Sequence, residues 1–210
     1  MSIIDKAIAA ITPPVSQEKR REARANARAA ADPGDWLSQI LDHHEQIEAA
    51  FAETKTASNA QGRRAAQKKL ATLLTGHTMA EEGVIYPALA HAGQQGHANT
   101  AYTEQAAAKM QLAALDHLDP MGQDYLDKLG HLEGAVATHV YQEESDWFLH
   151  LKQNAPEEDQ ERATERYAEE WARYMGGEAR SVTASYEARS FDPAKEGARE
   201  FGHMSGSPAD

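Results

Sequence analysis

Residues 129–151, LGHLEGAVATHVYQEESDWFLHL, decide the fold. At the helical period of 3.6 their apolar positions make one stripe: Leu129, Leu132 and Val136, then Trp147 and Leu151. Between the two halves the stripe runs through His139 and, one turn later, Glu143. Residues 70–89, LATLLTGHTMAEEGVIYPAL, repeat the pattern with Leu70, Leu73 and Leu74, then His77 and Glu81, then Val84 and Ala88. Residues 37–51 give Leu37, Ile40, Leu41, His44, Ile47 and Phe51. A glutamate on a core face is costly unless it is paired or bound to a cation. The i, i+4 spacing sets an imidazole and a carboxylate on one helix face, a turn apart. Two antiparallel helices of this kind present four ligands to a shared centre.

Working outward, four helices are expected, over about 35–56, 63–90, 99–118 and 120–152, with Asp119 as N-cap of the last. The short connections around Gly62 and Gly93 make neighbouring helices antiparallel. The fold class is therefore all-α, an up-down-up-down four-helix bundle over 35–152. No sustained period-two alternation supports a strand. Residues 1–34 read as an N-terminal arm. Pro13 and Pro14 stop any opening helix, and the Ala- and Arg-rich stretch 18–31 has helix propensity but no apolar stripe. Within 153–177, Pro156 and Gly176-Gly177 bracket one further amphipathic helix carrying Tyr167, Trp171 and Tyr174. That helix is expected to pack on the bundle or to serve a homodimer. The remainder, 178–210, is poor in apolar residues and is expected to be disordered.

The third helix leaves its ligand open. Stepping back from Leu115 and Leu112 in threes and fours reaches Ala108 or Lys109, then Glu104 or Gln105. Glu104 is the better donor chemically, an anionic oxygen against a weak neutral amide. The candidate metal ligands are therefore His44, His77, Glu81, Glu104, His139 and Glu143. Tyr86, Tyr102 and Tyr141 are near enough to stand behind them, with core packing as their default, and Glu82 and Glu144 are expected mainly at the surface. Imidazole nitrogen and carboxylate oxygen suit iron, manganese or zinc, and six ligands fit two ions better than one. The zincin H-E-x-x-H is absent, and the order His-then-Glu at i, i+4 differs from the Glu-x-x-His of ferritin-like bundles.

At these residues the chain resembles the bacterial hemerythrin-like, or HHE cation-binding, family. The segments that carry the resemblance are His43-His44-Glu45-Gln46-Ile47, then His77 with Glu81-Glu82 and Tyr86-Pro87, then His139 with Glu143-Glu144 and Trp147-Phe148. The resemblance implies a non-haem centre of two iron ions with oxo or hydroxo and carboxylate bridges. It implies oxygen binding, oxygen or peroxide chemistry, or sensing of iron and redox state. His44, His77, Glu81, His139 and Glu143 match family metal-binding positions. Oxygen-carrying members place two histidines on the third helix, where this chain has Glu104-Gln105. That difference favours reactivity, sensing or storage over reversible transport.

Composition narrows the alternatives. Acidic residues outnumber basic ones 33 to 21, a net charge of −12, which argues against nucleic-acid and anionic-membrane partners. Cysteine is absent, so thiolate metal sites and disulfides are excluded. Met1 to Ile11, interrupted by Asp5 and Lys6, makes no convincing targeting segment, and a soluble cytoplasmic protein is expected. No phosphate loop, nucleophile elbow or dinucleotide fingerprint is present. Two other functions stay open: a zinc- or single-metal storage or structural bundle, and a non-enzymatic interaction module that uses the arm and the last helix.

Overall fold

The computed structural model describes residues 15–175. Residues 1–14 of the expected arm and the expected disordered tail lie outside them. Six helices and no strand form among the described residues. Helix α1 is Gln17–Ala30, and α2 is Trp36–Thr56. Helix α3 covers residues 60–91 in three pieces: an α-helix Ala60–Ala80, a π turn Glu81–Ile85 and an α-helix Tyr86–His91. Helix α4 is Gln95–Ala114, ending in a 3₁₀ turn Leu115–His117. Helix α5 covers residues 123–154 as Gln123–Gln142, a second π turn Glu143–Trp147, and Phe148–Asn154. Helix α6 is Glu157–Met175.

Local chemistry sets the helix ends. Ser16, Asp35 and Asn59 each cap the helix that follows by accepting from a backbone N–H, at 3.3, 2.7 and 2.8 Å. Gly93, at φ +85°, ends α3 in the left-handed conformation, with Gln94 N–H returning to the Leu89 carbonyl at 2.9 Å. Asp119 does not cap α5 as expected. It accepts from Met121 N–H, and the helix begins at Gln123, behind Gly122. The expected start of α3 at residue 63 is likewise moved to Ala60 by the Asn59 cap.

Helices α2 to α5 pack in a closed ring, each against the next and α5 against α2. Helix α1 lies over the α2–α5 side, and α6 over the α2–α3 side. The core is split. Trp36, Leu37, Ile40, Leu41, Ile85, Leu89, Phe148 and Leu151 fill one end. Ile47, Phe51, Leu70, Leu73, Leu74, Leu115, Tyr125, Leu129 and Leu132 fill the other. The layer between them holds His44, His77, Glu81, Gln105, His139 and Glu143, all buried.

The π turns explain where the apolar stripe departs from simple periodicity. Each begins at the motif glutamate, and each closes with an i to i−5 bond, Tyr86 N–H to Glu81 C=O and Phe148 N–H to Glu143 C=O. One extra residue per turn moves the buried face of α3 from the expected Val84 and Ala88 to Ile85 and Leu89. It also carries Tyr86 and Phe148 fully inside. Pro87, which has no N–H to give, sits at the start of the α-helical piece that follows the first π turn. No helix among the described residues is long and apolar enough to cross a membrane.

Helix α6 uses its apolar face on the bundle. Gly76 on α3 gives it room: an added Cβ there would lie 3.2 Å from Met175 Sδ and 3.3 Å from the Trp171 ring. Gly76→Val is expected to destabilise the protein by about 1–3 kcal/mol by overpacking this contact. Thermal unfolding, with the near-ultraviolet dichroism of Trp171 as the local probe, checks it.

Candidate metal centre

Four ligand atoms, one each from His44, His77, Glu81 and Glu143, lie within 4.8 Å of one another in the buried layer. His77 and Glu81 come from α3, one turn apart, with His77 Nε2 3.2 Å from Glu81 Oε2. His139 and Glu143 stand in the same relation on α5, with Nε2 3.2 Å from Glu143 Oε1. His44 comes from α2, its Nε2 3.5 Å from Glu143 Oε2 and 4.0 Å from Glu81 Oε1. Each carboxylate thus turns one oxygen toward His44 and the other toward its own-helix histidine. Tyr86 Oη lies between those second oxygens, 3.1 Å from Glu81 Oε2 and 2.9 Å from Glu143 Oε1, and 3.1 Å from His139 Nε2.

Four polar atoms at this centre are buried with no hydrogen-bond partner: His44 Nε2, Glu81 Oε1, Glu143 Oε2 and Gln105 Oε1. Leaving such atoms unsatisfied is expensive, and one nitrogen lone pair with three oxygens is a donor set that a cation satisfies. The residues present therefore fit a bound metal.

The far nitrogen of each imidazole in the layer is also held. His44 Nδ1–H donates to Glu144 Oε1 at 2.8 Å, and His139 Nδ1–H donates to Glu104 Oε2 at 2.8 Å. A carboxylate only accepts, so these bonds fix the Nδ1–H on each ring and aim Nε2 inward. Arg24 on α1 donates to Glu144 at 2.9 Å and makes two bonds of 2.9 Å to Glu48. His77 Nδ1 instead faces Tyr167 Oη on α6, at 3.3 Å.

The layer's electrostatics express the crowding of like charges. Burial first, and then the Glu143 charge, push Glu81 up to about 8 against the pull of His44 and His139. Burial also disfavours an ionised Glu143, but His139 and His44 outweigh it and hold that carboxyl well below the ordinary range. Burial opposes charge on His44 and His139, yet Glu143 and Glu144 raise His44 to about 9, and Glu143 and Glu104 raise His139 to about 10. Burial and the charge of His44 drive His77 well below 6.5, and the same two causes take His43 down to about 4.

The structure thus brings together five of the six expected ligands and separates the sixth. Glu104 is about one-third exposed and sits behind His139. The α4 side chain that enters the layer is Gln105, 2% exposed, whose Nε2 donates to Glu81 Oε2 at 2.6 Å and reaches Tyr86 Oη. The correction has a simple cause. The buried line on α4 runs Ala98, Ala101, Gln105 and Leu115, and Glu104 lies about 100° off it. Glu144, expected mainly at the surface, is 1% exposed. Its position beside the motif glutamate was the available signal, but its partners Arg24 and His44 are distant in sequence. Tyr102 stays at the rim, its hydroxyl on the Glu82 carbonyl at 2.8 Å. Lys109 pairs with Glu82 at 2.7 Å, outside the layer.

A four-helix bundle crossed by a buried layer of imidazoles and carboxylates is a metal-binding helical bundle. Comparison with known families places it more closely. The chain belongs to the hemerythrin HHE cation-binding domain family, which matches residues 36–151, from the start of α2 into the last turn of α5. A protein of Nostoc sp. (strain PCC 7120 / SAG 25.82 / UTEX 2576) named DNA nickase is 29% identical over 128 residues. That alignment covers 61% of this chain and 35% of the relative, so the chain spans about a third of the relative's length. No solved structure matches the chain.

Two outcomes follow from this geometry. Glu144→Leu leaves His44 Nδ1 without its acceptor and is expected to weaken metal binding about 10–100-fold, measured by chelator competition. The second concerns pH. His44, His139 and Glu81 have folded values above their unfolded ones, so the stability they contribute in the metal-free protein is lost as pH rises through about 8 for Glu81, 9 for His44 and 10 for His139. His43, His77 and Glu143 are lowered, so the contribution of the two histidines is lost as pH falls below about 6.5 and that of Glu143 as it falls below about 4.5. Melting temperatures of metal-free protein should peak near neutral pH and drop on both sides. Metal displaces the ligand protons, so the metal-loaded protein should lose the alkaline fall.

Proposed function

We propose that the protein is a non-haem di-iron carboxylate protein that binds, reacts with or senses oxygen, peroxide or a related small oxidant. The observation that carries this is the sharing of Glu81 and Glu143. Each turns one oxygen toward His44 and the other toward Tyr86, which is how a carboxylate lies between two ions. His44, His77, Glu81 and Glu143 would hold one ion. His139 would hold the second, with the remaining oxygens of the two glutamates and with Gln105 and Tyr86 beside it. Iron bound there supplies one-electron redox steps and Lewis acidity toward a small oxygen ligand.

The chain's own residues shape that chemistry. Glu144 and Glu104 place negative charge behind His44 and His139, which makes the imidazoles stronger donors and favours the higher oxidation state. This supports reaction or sensing over reversible carriage. The two apolar ends of the core keep bulk water from the layer. Tyr86 holds a proton at Oη beside both shared carboxylates. Burial and the charges of Glu143 and Glu81 keep that phenol protonated well above its ordinary value.

The compact set His44, His77, Glu81 and Glu143 would also suit a single zinc or manganese ion, and this is the second reading. The Nostoc relative's name points to DNA, which the charge of this chain opposes. A net charge of −12 disfavours a phosphate backbone.

The test is metal content of protein expressed with iron, with absorption spectra before and after peroxide. About two irons per chain, and charge-transfer bands that change with oxidant, are expected. A single zinc, or iron that is inert to oxidant, overturns the proposal.

A further inference from the structure

The three metal-facing histidines differ in what stands behind them. His44 and His139 give Nδ1–H to carboxylates, Glu144 and Glu104. His77 faces a neutral phenol, Tyr167. Tyr167 lies on α6, outside the residues 36–151 that the family match covers, and it is fully buried. Its hydroxyl also meets a fourth imidazole, His43, with Oη 2.9 Å from His43 Nδ1. His43 is buried and is not one of the metal-facing set, and its ring stacks on Trp171 of α6 with centroids 3.5 Å apart and planes 16° apart.

One phenolic proton serves two imidazoles, so its direction matters. If Tyr167 donates to His77 Nδ1, the proton of a neutral His77 ring sits on Nε2, the atom a cation needs bare. If Tyr167 donates to His43 Nδ1, its lone pairs face His77 and accept Nδ1–H, which leaves Nε2 free. The distances favour the second arrangement, 2.9 Å to His43 against 3.3 Å to His77. Resting on the metal centre argued above, we propose that α6 completes it: Tyr167, oriented by His43, is a positioning residue that holds His77 as the Nδ1–H tautomer with Nε2 turned to the cation. His43 then acts on the centre without touching the ion. The bundle alone lacks this partner, because no side chain of α2 to α5 takes its place behind His77 among the described contacts.

The test uses the full chain with cobalt(II) as probe, its affinity measured by chelator competition and its ligand-field absorption as the signature of geometry. Tyr167→Phe keeps the buried ring and removes only the oxygen. It is expected to bind cobalt about 10–100-fold more weakly, with an altered spectrum, while the metal-free protein stays folded with a modestly lower melting temperature. His43→Leu removes the acceptor and should weaken binding in the same way. His43→Gln, whose amide oxygen accepts from Tyr167, should restore most of it. Wild-type affinity and spectrum in Tyr167→Phe overturn the proposal. So does an equal loss in His43→Leu and His43→Gln, which marks a packing role. If Tyr167→Phe fails to fold, the two His43 variants decide. Cobalt binding does not depend on reaction with an oxidant, so the redox function can fail while this test still stands. A wild-type chain that binds no cobalt overturns both the metal centre and this inference.

Discussion

Glu81 and Glu143 are carboxylates with no exposed surface, set across from each other in the middle of a helical core. Burying two such groups together is costly. Two ionised carboxylates in one buried layer repel in a poorly screening medium, and each keeps one oxygen with no hydrogen-bond partner. Three imidazoles, a phenol and an amide are gathered around them, and still they leave His44 Nε2 unpartnered. The arrangement makes physical sense when positive charge sits among these atoms. The split of the apolar core into two ends follows from the same constraint, because the layer between them is reserved for polar groups.

The π turns are part of that solution. A regular α-helix would carry Tyr86 and Phe148 away from the face that bears the motif glutamates. One added residue per turn, at Glu81 and at Glu143, turns both rings inward, Tyr86 onto the layer and Phe148 into the apolar end beside it. The two halves are chemically alike but not identical. On α3 the fifth residue after the glutamate is a tyrosine that bonds both carboxylates, and on α5 it is a phenylalanine that is wholly apolar. The phenol and Gln105 therefore lie on the side of the layer where His139 stands.

Much of this was legible in the chain. The interrupted stripes on three helices gave the bundle and five residues of the buried polar layer, because a polar pair inside an otherwise apolar face has few other meanings. The fourth bundle helix was harder. Helix α4 is rich in alanine and short of large apolar residues, so Glu104 and Gln105 fitted its weak pattern equally well. Only its rotation against α3 and α5 sets Gln105 inward and leaves Glu104 to reach His139 from behind. The burial of Glu144 is hidden from the sequence for a related reason. Its burial depends on α1, which shows no apolar stripe and docks through Ala23, Ala27 and the Arg24 guanidinium.

The sequence by itself determined the identity and spacing of the polar layer, since His and Glu at i, i+4 share a helix face in any regular helix. It also determined the bundle topology, through short connections between amphipathic segments. The tertiary structure alone decided the phase after each π turn, the choice between neighbouring positions on α4, and the group behind each imidazole. Those groups, Glu144 for His44, Glu104 for His139 and Tyr167 for His77, lie 100, 35 and 90 residues from their partners. Spacing along a chain fixes what a helix presents on one face. Which distant atom comes within hydrogen-bonding reach of that face is set by how the helices rotate and pack.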